Sequence, residues 1–242
     1  MTHQNLLTLE GVHTHIGAYH ILHGVDLAVP KGQLTMLLGR NGAGKTTTLR
    51  TIMGLWHASQ GRVRFGDKDI AAMHTPQIAE LGIAYVPENM GIFSDLTVKE
   101  NMLLAARGAK NAAQIDDTRL KWIFKLFPAV EKFWNHPAGK LSGGQKQMLA
   151  VSRAIVEPRE LLLIDEPSKG LAPVMINNMI DAFAELKASG VTILLVEQNI
   201  NFAQRLGDNV AVMDNGRVVH SGSMAAFSAD AQLQQSLLGL AL

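Results

Sequence analysis

The stretch Gly39-Arg40-Asn41-Gly42-Ala43-Gly44-Lys45-Thr46-Thr47 decides the fold. It fits the pattern G-x-x-x-x-G-K-[ST], with Gly39, Gly44, Lys45 and Thr46 in the four defining places. The apolar run Leu34 to Leu38 before it reads as a buried strand, and Thr46 to Met53 after it as a helix. In that strand–loop–helix setting, glycines let backbone N–H groups turn onto phosphate oxygens, and the helix N-terminus favours the anion. Lys45 then has the reach for β- and γ-phosphates, and the Thr46 hydroxyl can hold Mg²⁺. A bare glycine turn would need none of this context. The stretch reads as a nucleoside triphosphate site.

Outward from the loop, apolar runs of strand length alternate with helical patterns. Ile83 to Val86, Leu161 to Ile164, Val191 to Val196 and Val210 to Met213 are the runs. Pro173 to Ala188 is an amphipathic helix, with Ile176, Met179, Ile180, Phe183 and Leu186 on one face. Strands apolar on both faces imply a mostly parallel sheet covered by helices on both sides. Near the N-terminus, Leu6 to Val12 and Val25 to Val29 read as strands joined by the loop HTHIGAYHILHG, and Gly61 to Phe65 as another. Thr75 to Leu81 is expected to be a helix with Thr75 as N-cap and Pro76 at its first position. Asn215-Gly216 is a two-residue hairpin signal. From Leu96 to about Lys140 helical patterns dominate, Val98 to Ala106 and Asp117 to Phe127, with Pro128 and Pro137 as breakers. That segment reads as the beginning of a helical subdomain inserted into one α/β domain spanning residues 1–242, with Trp122, Phe124, Phe127, Phe133 and Trp134 as its own small core.

Composition narrows the class. The 242 residues suffice for a full core, and a net charge of +1 gives no bulk pull towards nucleic acid or anionic lipid. There is no cysteine, which excludes disulfides and thiolate metal sites. No apolar run is long enough to span a bilayer, and the N-terminus lacks the pattern of a signal peptide. A membrane role would come through a partner.

Two further motifs carry chemistry. Leu161 to Glu166, LLLIDE, is an apolar strand that ends in two carboxylates, at the end of the sheet where α/β proteins bind ligands. Side chains alternate along a strand, so Asp165 and Glu166 are expected to point to different places, one towards Mg²⁺ and one towards an attacking water. Leu141-Ser142-Gly143-Gly144-Gln145 opens a helix, where the Ser142 hydroxyl, free N–H groups and the helix dipole make a second anion site. One chain thus offers two phosphate-binding helix ends but one loop lysine.

With LSGGQ, the phosphate loop and the Asp165-Glu166 pair in this order, the chain resembles the ATP-binding subunit of an ABC transporter over essentially its whole length. The resemblance implies an ABC ATPase fold: a P-loop NTPase-type sheet, an antiparallel β part near the N-terminus and an inserted helical subdomain. It implies two cassettes packed head to tail, with Leu141 to Gln145 of one covering the γ-phosphate held by Gly39 to Thr47 of the other. Glu166 is then the general base, Thr46, Asp165 and Glu88 attend Mg²⁺, and Gln198 joins Glu166 in catalysis, where many cassettes have a histidine reaching the γ-phosphate. Glu88, in Val86-Pro87-Glu88, replaces the usual glutamine of the loop that links Mg²⁺ and water to the transmembrane partner. Ile16 replaces the adenine-stacking aromatic, with His15 and Tyr19 nearby.

Leu22 to Val25 (LHGV), Tyr85 to Glu88, Asp165 to Pro173 and Leu194 to Asn199 are similar to the shorter ATPase subunit of branched-chain amino acid importers. Asn89 to Phe93 departs from that branch. The implied cofactors are ATP and Mg²⁺. The implied partners are a second ATPase subunit, transmembrane permease subunits and, indirectly, a periplasmic or extracellular solute-binding protein, with no nucleic acid. The implied location is the cytoplasmic face of the membrane, peripheral through the permease. Two rivals are weighed against this. Repair or translation ATPases of the same type carry a long insertion or a second cassette, and the span from Lys45 to Leu141 is short. A regulatory subunit with little turnover would fit Glu88, Gln198 and Ile16, but Glu166 speaks against it.

Overall fold

A computed structural model describes residues 4–106 and 115–239. The described residues form two sheets. Strands β1 (Asn5–Ile16), β2 (Tyr19–Pro30), β4 (Ala58–Phe65) and β5 (Lys68–Asp69) form an antiparallel sheet in the order β2-β1-β4-β5. The larger sheet runs β10-β9-β3-β8-β7-β6. Its strands are β3 (Leu34–Gly39), β6 (Ile83–Val86), β7 (Leu161–Asp165), β8 (Thr192–Glu197), β9 (Asn209–Asp214) and β10 (Arg217–Ser223). The pairs β3–β8, β3–β9, β6–β7 and β7–β8 are parallel, and only the β9–β10 hairpin is antiparallel.

Strand periodicity divides the core in two. Met36 and Leu38 of β3, Leu162 and Ile164 of β7, Ile193 and Leu195 of β8, and Val210 and Val212 of β9 face one cluster. Leu37, Leu161, Leu163, Leu194, Val196, Ala211 and Met213 face the other, which continues into the antiparallel sheet. Helix α1 (Lys45–Ile52) fills the second cluster with Leu49 and Ile52. The first is covered by α3 (Val98–Ala105), α4 (Asp117–Leu126), α6 (Gly143–Ala154), α7 (Pro173–Ala188), α8 (Ile200–Leu206) and α9 (Met224–Ala229). Among the described residues no helix is long and apolar enough to cross a membrane.

Several expectations need correction. The expected loop HTHIGAYHILHG is the far half of a long β1–β2 hairpin that turns at Gly17-Ala18. Inward residues Leu7 and Leu9 are followed by Val12 and Thr14, because a bulge at Gly11, φ +57°, shifts the alternation by one and hides the strand period. Helix α2 (Thr75–Glu80) is capped by His74, not Thr75, through a capping box with Gln77. Pro128 does not merely break α4 but starts the short helix α5 (Pro128–Lys132). The aromatics of the helical segment form no core of their own. Phe127 is fully buried, and Trp122, Phe124, Phe133 and Trp134 pack half-buried against the cluster under the main sheet. The helices α9 and α10 (Ala231–Leu238) extend the chain past the last expected strand. Part of the segment after Ala106 lies outside the described residues.

Candidate functional site

The loop after β3 is shaped by its glycines and braced by the last hairpin. Gly39 has φ +150°, and a Cβ there would lie 2.3 Å from the Met213 carbonyl oxygen, so no other residue fits. The Gly216 N–H donates to the Ala43 carbonyl at 2.9 Å, and Ala43 N–H to the Arg40 carbonyl at 3.2 Å. Asn41 and Gly42 are exposed at the mouth, where a Cβ on Gly42 would meet open space. Lys45 is buried, and its Nζ donates to the carbonyls of Gly39 at 2.8 Å and Arg40 at 3.1 Å. Burial holds its ammonium below the ordinary lysine range, against the pull of Glu166, Asp165 and Glu197.

β7 delivers the carboxylates. Asp165, fully buried, accepts from the Thr46 hydroxyl at 3.1 Å and from the Tyr85 hydroxyl at 3.4 Å. Burial pushes the Asp165 carboxyl up, while these hydrogen bonds oppose it. Burial and the adjoining Asp165 push the Tyr85 hydroxyl up to about 12, so it stays a neutral donor. The two carboxylates do diverge, but not by strand alternation. β7 ends at Asp165, and Glu166 takes a left-handed conformation with φ +47°. That turn sends Glu166 over the loop, with Oε1 3.8 Å from Lys45 Nζ and accepting from Gln198 Nε2. The same Gln198 nitrogen donates to Asn41 Oδ1 at 2.7 Å. Glu197, buried at the end of β8, accepts from the N–H groups of Ser168, Gln198 and Asn199 and so fixes both flanking loops.

The sequence-expected residues therefore largely converge. Asn41, Gly42, Gly44, Lys45, Thr46, Thr47, Glu88 and Glu166 line one hollow of about 370 Å³. Arg40 and Gln198 line an adjoining one. Glu88 forms an ion pair with Lys169, and hydrogen bonding to Glu88 raises the Lys169 ammonium. Ile16, at the end of β1, does not line the phosphate hollow. Tyr19 is 76% exposed, and Ile21 of β2 lines the hollow. Ile21 was not singled out from sequence, and Tyr85, Glu197 and Lys169 stood there only inside family-like segments, Lys169 in the loop Ser168 to Pro173 expected to make dimer contacts. Lys169 carried a legible signal, a cation three residues beyond Glu166.

Leu141 to Gln145 lies elsewhere. Ser142 caps α6, its Oγ accepting from Gln145 N–H at 3.4 Å while Gln145 Oε1 accepts from Ser142 N–H at 2.9 Å. Ser142 and Gly143 are exposed, Leu141 and Gly144 are buried, and none of the five lines the phosphate hollow. A Cβ on Gly144 would strike Met175 of α7, whereas Gly143 faces open space.

The residues fit a nucleotide with Mg²⁺. Asp165 and Thr46 offer hard oxygen donors side by side, and the hydrogen-bond partners of this buried carboxylate are neutral hydroxyls, so a divalent cation would offset its charge. Among the described residues no cluster of three or more metal-ligating side chains exists. Mg²⁺ needs none, since it is held by one or two carboxylates together with phosphates and waters.

Comparison with known proteins agrees with this geometry. The family described as ABC transporter matches residues 22–169. The chain is 38% identical over 97% of its length, and all of the relative's, to the high-affinity branched-chain amino acid transport ATP-binding protein BraG of Pseudomonas aeruginosa. It is 36% identical to the probable branched-chain amino acid transport ATP-binding protein LivF of Archaeoglobus fulgidus, over 84% of this chain and 86% of that one. In structure it is similar to the ADP conformation of MJ1267, an ATP-binding cassette of an ABC transporter. The TM-score is 0.81 at 27% identity, covering 96% of this chain and 98% of that one. A phosphate loop, a buried Mg²⁺-suited carboxylate and a separate LSGGQ helix cap on one sheet are thus joined by shared sequence: the chain belongs to the ABC transporter family, as an ATP-binding, ATP-hydrolysing cassette.

Proposed function

We propose that this cassette hydrolyses ATP to drive an importer of branched-chain, hydrophobic amino acids, working as half of a dimer beneath a transmembrane permease. The carrying observation is the placement of Glu166. Its carboxylate is 8% exposed and held by Lys45 and Gln198 directly over the phosphate loop, where a water attacking a γ-phosphate would stand.

The contacts support the following residue roles. Lys45 and the N–H groups from Asn41 to Thr47 hold the phosphates. Thr46 and Asp165 would hold Mg²⁺, which when bound would offset the charge of the phosphates. Glu166 polarises the water as general base, with Gln198 fixing its orientation. Ser142, Gly143 and Gly144 at the α6 N-terminus close the site of the partner cassette. Catalysis is then mainly positioning plus charge stabilisation. The cargo rests on the BraG and LivF relatives, whose names state branched-chain amino acid transport. A permease at the cytoplasmic face of the membrane is suited by a groove of about 1080 Å³ beside Pro87, Glu88 and Arg153. A solute-binding protein would act through that permease.

Glu166→Gln keeps the shape and the contact with Gln198 but removes the base. ATP binding should persist while turnover falls at least about a hundredfold. Turnover near that of the unmodified chain would refute the role. With its permease in vesicles, the unmodified chain should support ATP-dependent uptake of leucine, and Glu166→Gln should not.

A further inference from the structure

Two carboxylates, Glu88 and Glu166, border the phosphate hollow, and one side chain joins them. Lys169 Nζ lies 2.5 Å from Glu88 Oε1 and 3.5 Å from Glu166 Oε2. Its aim is set by a turn. Glu166 is left-handed with φ +47°, the Lys169 N–H donates to the Glu166 carbonyl at 3.2 Å, and the Ser168 N–H between them is held by Glu197 at 2.9 Å. The two oxygens of Glu166 are therefore held by different groups. Lys45 and Gln198 take Oε1, and Lys169 takes Oε2. Glu88 also lines both the phosphate hollow and the larger groove beside β6, so one side chain borders the two spaces at once.

We propose that Lys169 is a positioning residue for hydrolysis, tying the Glu166 carboxylate to Glu88 so that the groove side of the molecule sets the orientation of the general base. Lys169 itself lines the hollow, but in this role it acts through Glu166 rather than on the phosphates. A carboxylate with one oxygen tethered can still rotate about its last torsion, which is broad and shallow. Holding the second oxygen removes that freedom and leaves a lone pair directed at one place. A displacement of Glu88 in the groove pulls Lys169 and thereby loosens or restores that orientation. Because the Lys169 side chain is 59% exposed, the pair contributes little to folding, and its effect belongs to rate.

The proposal rests on Glu166 acting as base, and the experiment separates the two. In the full chain, Lys169→Met should lower kcat about tenfold, leave KM for ATP within about twofold, and leave the melting temperature unchanged. Lys169→Arg, which keeps a cation of similar reach, should recover most of the rate. Glu88→Ala should cost rate in the unmodified chain and nothing further in the Lys169→Met background. An unchanged kcat in Lys169→Met overturns the proposal while Glu166→Gln remains inactive. A rise in KM matching the fall in kcat overturns it too, since Lys169 would then be holding phosphate. Equal cost of Glu88→Ala in both backgrounds breaks the link between the two carboxylates. Absence of turnover in the unmodified chain overturns this inference together with the ATPase reading.

Discussion

At the scale of single residues, the site holds charges that the fold does not favour. Asp165 is buried among apolar β-strands, and burial raises its carboxyl above the ordinary aspartate range. The sign is unfavourable at neutral pH. A carboxyl whose folded-state pKa is raised binds its proton more tightly in the folded chain, so its contribution is most favourable in acid and is lost as pH rises above the ordinary value of 3.8. Asp165→Asn keeps an oxygen for the Thr46 hydroxyl and removes the buried charge. The melting temperature at pH 7 should therefore rise by roughly 2–4 °C for each kcal/mol relieved, while Mg²⁺-dependent turnover is lost. Melts at pH 7 and near pH 4 check this, since the gain should shrink in acid. A lower melting temperature at pH 7 would mean that attraction to Lys45 outweighs burial.

At the scale of elements, the β9–β10 hairpin shows how sequence and site are joined. Asn215 and Gly216 both have positive φ, +45° and +72°, as the two-residue turn requires. Gly216 does more than turn the chain. Its N–H holds Ala43 of the phosphate loop, its carbonyl accepts from His23 N–H at 2.9 Å, and a Cβ would lie 2.1 Å from the Ile21 carbonyl oxygen. Gly216→Ala should thus lower stability by about 1–3 kcal/mol and weaken ATP binding, read by thermal melts and calorimetry. Unchanged values of both would show the contact to be slack. The hairpin was legible because turn chemistry is local. So were β3, β7 and β8, since a strand buried on both faces is an unbroken apolar run such as Leu161 to Ile164. The β1–β2 hairpin was not, because the bulge at Gly11 breaks the alternation and histidines 13, 15, 20 and 23 crowd its tip. Motifs named Lys45, Asp165 and Glu166, but only the fold shows Tyr85 of β6 reaching Asp165 and Lys169 joining Glu166 to Glu88.

At the scale of the whole molecule, the chain presents a phosphate hollow and, apart from it, a second exposed helix N-terminus. The phosphate loop, Asp165, Glu166 and Gln198 converge at the carboxyl ends of β3, β7 and β8, whereas the exposed N-terminus of α6 lies outside that hollow. An anion-binding helix end with no anion site of its own chain in front of it is explained if a second copy, or a different cassette, supplies the phosphate. Gly143 offers a clean test, because a side chain there meets nothing within 4 Å and the helix cap at Ser142 is undisturbed. Gly143→Glu should fold with an unchanged melting temperature and bind ATP through its intact loop as before. Its carboxylate would face the partner's γ-phosphate and repel it, so ATP should no longer drive dimerisation in a Glu166→Gln background, as read by sedimentation. In an otherwise unmodified chain turnover should fall by at least about tenfold. If the variant dimerises and turns over normally, the two halves of the site do not meet across a dimer, and the exposed cap of α6 serves folding alone.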